Sequence, residues 1–224
     1  SEYKIIAKEV GASDREFALS RISEIYFDKK DFENAILSMS TLDSITQNPE
    51  NKQNAKIGIL RCYNQLNNVE ASIVTATDII ESDKVIDPAL KREALYIRAK
   101  SFNHNGDSLK AFNDYNILSE NCLDEYGAEA QYNIELHYFN KEDLASAEKE
   151  IFDFIEKNTP HQYWLAKSFI LLSDIYVKQG KDFEAKQYLL SVRENYKGKD
   201  DIMSEIKMRL DEIENREFDK IVNE

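Results

Sequence analysis

Five times along this 224-residue chain an aromatic residue is followed, about nine positions on, by an alanine across a short polar turn. Tyr26 leads to Ala35, Tyr63 to Ala71, Phe102 to Ala111, Tyr138 to Ala147 and Tyr176 to Ala185, so the alanines stand 36, 40, 36 and 38 residues apart. Spacing this regular is not the pattern of a single-core domain. It marks stacked units, each too small to bury its own apolar face, and so predicts a repeat solenoid.

The segment Ala99–Tyr115 shows how one unit works. Apolar Ala99, Phe102, Ala111, Phe112 and Tyr115 flank a polar insert from Asn103 to Ser108, which reads as two helices joined by a tight turn. Gly106 provides the permissive backbone that ends the first helix, and Asp107 can accept hydrogen bonds from the free amides that open the second. Asp31, Asp143 and the pair Gly180/Asp182 stand in comparable places. The alanine opening each second helix leaves room for the large aromatic of the first. Tyr26, Ala35, Tyr63, Ala71, Phe102, Ala111, Tyr138, Ala147, Tyr176 and Ala185 are therefore assigned to packing between helices. The second unit fits worst: its aromatic-to-alanine spacing is one residue short, its turn is Asn67-Asn68, and Gly58 falls inside a helix, leaving its register open by one residue.

These residues make the chain resemble the tetratricopeptide repeat (TPR) family. That family carries an aromatic late in helix A, Gly-Asp-aromatic at the turn, an alanine early in helix B and a proline near the repeat's end. Gly106, Asp107, Ala111 and Tyr115 match in the third repeat. Tyr176, Gly180, Phe183 and Ala185 match in the fifth, and Asp31, Phe32 and Ala35 in the first. The resemblance implies an all-α, right-handed α-α superhelical solenoid of about five helix pairs. They are expected over residues 13–196, at about 13–48, 49–86, 87–124, 125–159 and 160–196. The period exceeds the ~34 residues usual for such repeats, which implies longer helices or connections.

Both ends depart from the repeat. Tyr3, Ile5, Ile6 and Val10 read as the end of a helix whose partner lies elsewhere, so residues 1–12 are expected to be the remnant of a preceding repeat. Toward the other end, Ile202, Ile206, Leu210 and Ile213 recur at four and three residues, one stripe of a helix. Residues 197–224 are therefore expected to form a C-terminal helix that caps the last open face.

Composition narrows the function classes. Acidic residues outnumber basic ones by 42 to 29, a net charge of −13, and no run of Lys or Arg interrupts them, which argues against nucleic acid as a ligand. No apolar run approaches the ~18 residues of a membrane span. Pro49, Pro88 and Pro160 all fall just before new helical patterns, where a missing amide does no harm. His104, His137 and His161 have no second histidine or cysteine at ligand spacing, and Cys62 and Cys122 are 60 residues apart. With no nucleotide-binding or nucleophile motif present, the sequence predicts neither catalytic residues, metal nor cofactor, and no enzyme.

Binding is the remaining class. In TPR solenoids the A helices line the concave side, and the helical period counted back from each aromatic projects a set of residues inward. That set is Ser20, Glu24 and Phe27; Ile57, Arg61 and Asn64; Tyr96, Lys100, Asn103 and His104; Tyr132, Leu136 and Phe139; Ile170, Asp174 and Val177. Of these, Phe27, Arg61, Asn64, Tyr96, Lys100, Asn103, Tyr132, Leu136, Phe139 and Asp174 are assigned to partner binding. Tyr96, Tyr132 and Phe139 suggest an aromatic strip for a peptide or helix of a protein partner, with Arg61 and Lys100 adding positive charge. The TPR clamp for chaperone C-termini is not implied, because Ser20, Ile57 and Tyr96 occupy its first inward positions. A spacer or self-association segment of a longer solenoid is the alternative. The run Tyr163-Trp164-Leu165-Ala166-Lys167-Ser168-Phe169-Ile170-Leu171-Leu172-Ser173-Asp174-Ile175-Tyr176 resembles large bacterial cell-envelope TPR proteins, which implies a periplasmic or outer-membrane-associated scaffold.

Overall fold

The computed structural model describes residues 11–82 and 87–222. Within them lie eleven helices and no strand: α1 (Ala12–Asp28), α2 (Phe32–Ile45), α3 (Pro49–Gln65), α4 (Val69–Ile80), α5 (Pro88–His104), α6 (Ser108–Ser119), α7 (Glu125–Asn140), α8 (Leu144–Glu156), α9 (Gln162–Lys178), α10 (Asp182–Asn195) and α11 (Ile202–Val222). The first ten form five consecutive pairs, the all-α arrangement that the period predicts. The expected remnant helix, with Tyr3, Ile5, Ile6 and Val10, lies outside the described residues.

All five turns within pairs are built the same way. One residue turns left-handed, with φ from 53° to 81°, at Lys30, Asn67, Gly106, Glu142 and Gly180. The next residue's amide then donates back to the carbonyl of the repeat aromatic: Asp31 to Tyr26, Asn68 to Tyr63, Asp107 to Phe102, Asp143 to Tyr138 and Lys181 to Tyr176, all at 2.9–3.0 Å. This return bond satisfies a helix-end carbonyl. Four residues later, the amides of Ala35, Ser72, Ala111, Ala147 and Ala185 donate to the carbonyls of those same five N-cap residues.

That register corrects the second repeat. Ser72, fully buried, occupies the small-residue position, whereas Ala71 is half-exposed. The interval from the aromatic is thus nine residues in every repeat, because the turn geometry permits only one. The fifth turn also differs from expectation. Its N-cap is Lys181, which has no side-chain acceptor and places its ammonium 5.1 Å from the Tyr176 ring centre. Asp182 is the first helical residue and meets Arg216 at 3.4 Å. The other four turns are capped by side chains of Asp31, Asn68, Asp107 and Asp143.

Packing follows the pairs. The chain divides into two compact units, 1–114 and 115–224. In the first, Leu19, Met39, Leu42 and Ala55 form one core, from α1, α2 and α3. Ile57, Leu60, Ala76, Ile79, Ala94 and Ile97 form the next, from α3, α4 and α5. Each core needs the first helix of the following pair to close it, which is why a pair alone would not be stable. Gly58 sits mid-helix because the Met39 side chain fills the space a Cβ would need.

In the second unit, Ala147, Ile151, Leu171, Leu172 and Ile175 join α8 to α9. Ala166, Ile170, Ala185, Leu189 and Val192 meet Ile202, Ile206, Leu210 and Ile213 of α11. The predicted stripe of α11 is therefore its buried face. Ion pairs pin the same helix: Lys167–Glu205 at 2.6 Å, Asp174–Arg209 at 2.8 Å and Lys186–Glu214 at 3.3 Å. Tyr176 packs against both cores, donates to Glu148 at 2.7 Å and stacks on Tyr188 with ring centres 5.5 Å apart.

Candidate functional site

The residues of the first unit that the helical period projects inward divide into two groups. Phe27 is half-buried and set edge-on against Phe32, ring centres 5.4 Å apart, so its role is packing. Ile57 is buried in the core between α3, α4 and α5, although the helical period also projects it inward. Arg61 makes a two-pronged pair with Glu93, both bonds 2.6 Å, which joins α3 to α5 and takes up its charge.

Asn64 and Lys100 come together at one pocket. With Asn67, Val69, Ser72, Ser101 and His104 they line a pocket of about 130 Å³ between the second turn and the end of α5. Lys100 Nζ donates to Tyr96 Oη at 3.0 Å and lies 4.9 Å from that ring's centre, so the phenol holds the ammonium in place. Tyr96 itself packs partly against the core below. Asn103 is exposed, one residue before His104 on the pocket rim.

In the second unit, α7 carries Tyr132, Leu136 and Phe139 at steps of four and three, all partly buried against the core between α8 and α9. Tyr132 lies against Trp164, with ring centres 5.7 Å apart, and under the Lys167 ammonium at 5.8 Å. Burial pushes its phenol above the ordinary range, and Glu205 adds to the shift. Lys178 stands 4.8 Å from the centre of the Phe139 ring. Asp174 is not an open inward group. Arg209 of α11 clasps it through two bonds of 2.8 and 2.9 Å. Ile170 is buried in the last core, and Val177 packs partly against it.

Sequence reasoning overlooked the cations that sit over these rings, Lys167 and Lys178. Both come from the neighbouring α9, so nothing in the pattern of α7 announces them. It also overlooked Glu135, fully buried on α7, whose two carboxyl oxygens have no hydrogen-bond partner. Nearby, Lys157 Nζ donates to Gln131 Oε1 at 2.9 Å, and Gln131 Nε2 donates to Glu150 Oε2 at 3.1 Å, so an ion pair is relayed through a buried amide.

The remaining reactive side chains are accounted for by packing. Cys62 and Cys122 are free and buried, and burial pushes both thiols up, that of Cys62 to about 11. His161 is the N-cap residue of α9, and its Nε2 lies 3.1 Å from the Leu123 carbonyl. His137 lies edge-on to Tyr138. Among the described residues no group of three or more His, Cys, Asp or Glu side chains could hold a metal ion. No helix there is long and apolar enough to cross a membrane.

No family model and no curated protein matches this sequence. Solved structures do. The kinesin light chain TPR-like repeats of Podosopora anserina align at a TM-score of 0.60, 13% identical over 83% of this chain and 96% of theirs. The apo quorum sensor NprR of B. thuringiensis aligns at 0.66, 11% identical over 93% of this chain, which spans only 61% of that protein. A tetratricopeptide repeat protein of Parabacteroides merdae aligns at 0.54, with 16% identity over 87% of this chain and 98% of its own. At such identities the likeness is one of fold, and the fold is the TPR-like helical repeat.

Proposed function

We propose that this chain is a non-catalytic scaffold whose exposed A-helix faces take an extended or helical segment of a protein partner. The observation that carries this reading is the stripe on α7. Leu136 and Phe139 keep part of their surface open beside Tyr132, and Lys167 and Lys178 lie over the flanking rings. Aromatic anchors with cations at their rims suit an amphipathic segment that carries acidic residues. Its fold kinship with a quorum sensor and with kinesin light chain repeats agrees with an interaction role. The bacterial cell envelope is the setting we assign from the resemblance of residues 163–176.

A photoreactive amino acid placed at Phe139 should capture a single discrete partner from native extract. The same group at Leu37, exposed on α2, should not. Equal capture from both positions would remove the assignment to the A-helix face.

A further inference from the structure

One lysine of the first unit stands where the other repeats keep a core residue. Counted back seven positions from the repeat aromatic, the first helices of the five pairs carry Leu19, Lys56, Leu95, Gln131 and Phe169. Leu19, Leu95 and Gln131 are buried and Phe169 packs against two cores, whereas Lys56 is half-buried. A lysine at such a position is stable only where its ammonium reaches water or an anion.

What Lys56 borders is a cavity. With Lys52, one turn earlier on α3, it flanks a space of about 50 Å³ between α3, α4 and α5, walled chiefly by Pro49, Ile57, Ile79 and Leu90. The repeat register explains why the space is there. Seven positions after the small residue, Ile79 stands where the fourth repeat has Phe154; twelve before the aromatic, Leu90 stands where the fifth has Trp164. Phe154 and Trp164 pack in one core, and the smaller Ile79 and Leu90 leave the corresponding space unfilled. Neither lysine makes an ion pair among the described residues. None of the described residues lining the cavity is acidic, in a chain with 42 acidic residues. Apolar walls beside two ammonium groups match an aliphatic chain that ends in an anion.

We propose that α3, α4 and α5 form a small-molecule site for a short-chain fatty acid, its alkyl end in the cavity and its carboxylate at Lys52 and Lys56. The site lies in the core between two repeats of the first unit. It is independent of the α7 stripe and of any protein partner bound there.

The full chain is titrated with hexanoate, with neutral hexanol and with acetate, and the methyl groups of Ile57, Ile79 and Leu90 are followed by NMR. Hexanoate should shift all three saturably, acetate should shift none, and hexanol should bind about tenfold more weakly than hexanoate. The paired change Lys52→Gln and Lys56→Gln should bring hexanoate down to the level of hexanol. Ile79→Phe, which restores the ring of the fourth repeat, should abolish the response of Ile57 and Leu90 to both. Circular dichroism checks the fold of each variant, and where Ile79→Phe fails to fold the lysine variant decides alone. No response to hexanoate, equal binding of hexanol, an equal response to acetate, or hexanoate affinity unchanged in the lysine variant would overturn the proposal. Photocapture at Phe139 is a separate readout, so either reading can fail without the other.

Discussion

Glu135 is the residue whose position is hardest to reconcile with its chemistry. It lies in the interior of the second unit, where burial pushes its carboxyl well above the ordinary value of 4.5. Glu150 adds to that shift, while Lys157 opposes it. A carboxyl raised in the folded state holds its proton longer than in the unfolded chain. It leaves stability intact below about pH 4.5 and erodes it as pH climbs toward the folded value. Glu135→Gln removes the ionisation and keeps the shape. Its melting temperature should therefore equal or exceed that of the wild type at about pH 8, and the advantage should shrink toward about pH 4. A constant offset between the two melting curves across that range would mean that the carboxyl does not titrate against folding. Nothing in the sequence singles out this glutamate among 42 acidic residues. Its face of α7 becomes interior only when α9 packs against it.

At the scale of the element, the turn governs the repeat. The return bond to the aromatic carbonyl demands a left-handed residue, and glycine supplies it only at Gly106 and Gly180. Lys30 and Glu142 adopt the same backbone with a Cβ in place and their side chains exposed. Each should gain about 1 kcal/mol in urea-melt stability when replaced by glycine, with the greater freedom of the unfolded chain offsetting part of the relief. Unchanged midpoints would show that the turn tolerates the left-handed side chain without cost. These turns were legible in the sequence where Gly and Asp announce them, as at Gly106-Asp107. Where the chemistry is atypical the sequence points one residue away: alanine, the common small residue, favours Ala71 over Ser72, and lysine's inability to cap favours Asp182 over Lys181.

At the scale of the molecule, stability passes within each unit from one pair to the next through shared cores. The α11 helix closes the last of them, with Ile206 fully buried between α9 and α10. Ile206→Ala should cost about 2 to 5 kcal/mol, and native-state hydrogen exchange should show the loss in α9, α10 and α11 while α1 to α3 keep their protection. Equal loss throughout would show one cooperative block in place of neighbour-to-neighbour coupling. The sequence by itself determined the helical class, the number of pairs, the stripe of α11 and most turn positions. These depend on local periodicity and on which residues can turn or cap, and both are written in neighbouring positions. Only the tertiary structure decided what each of these residues meets. Arg61 is answered by Glu93 and Asp174 by Arg209, more than 30 residues away in sequence, while Asn64 and Lys100 line a pocket. Helical period tells where a side chain points, but whether a partner from the next repeat is waiting there depends on packing between repeats.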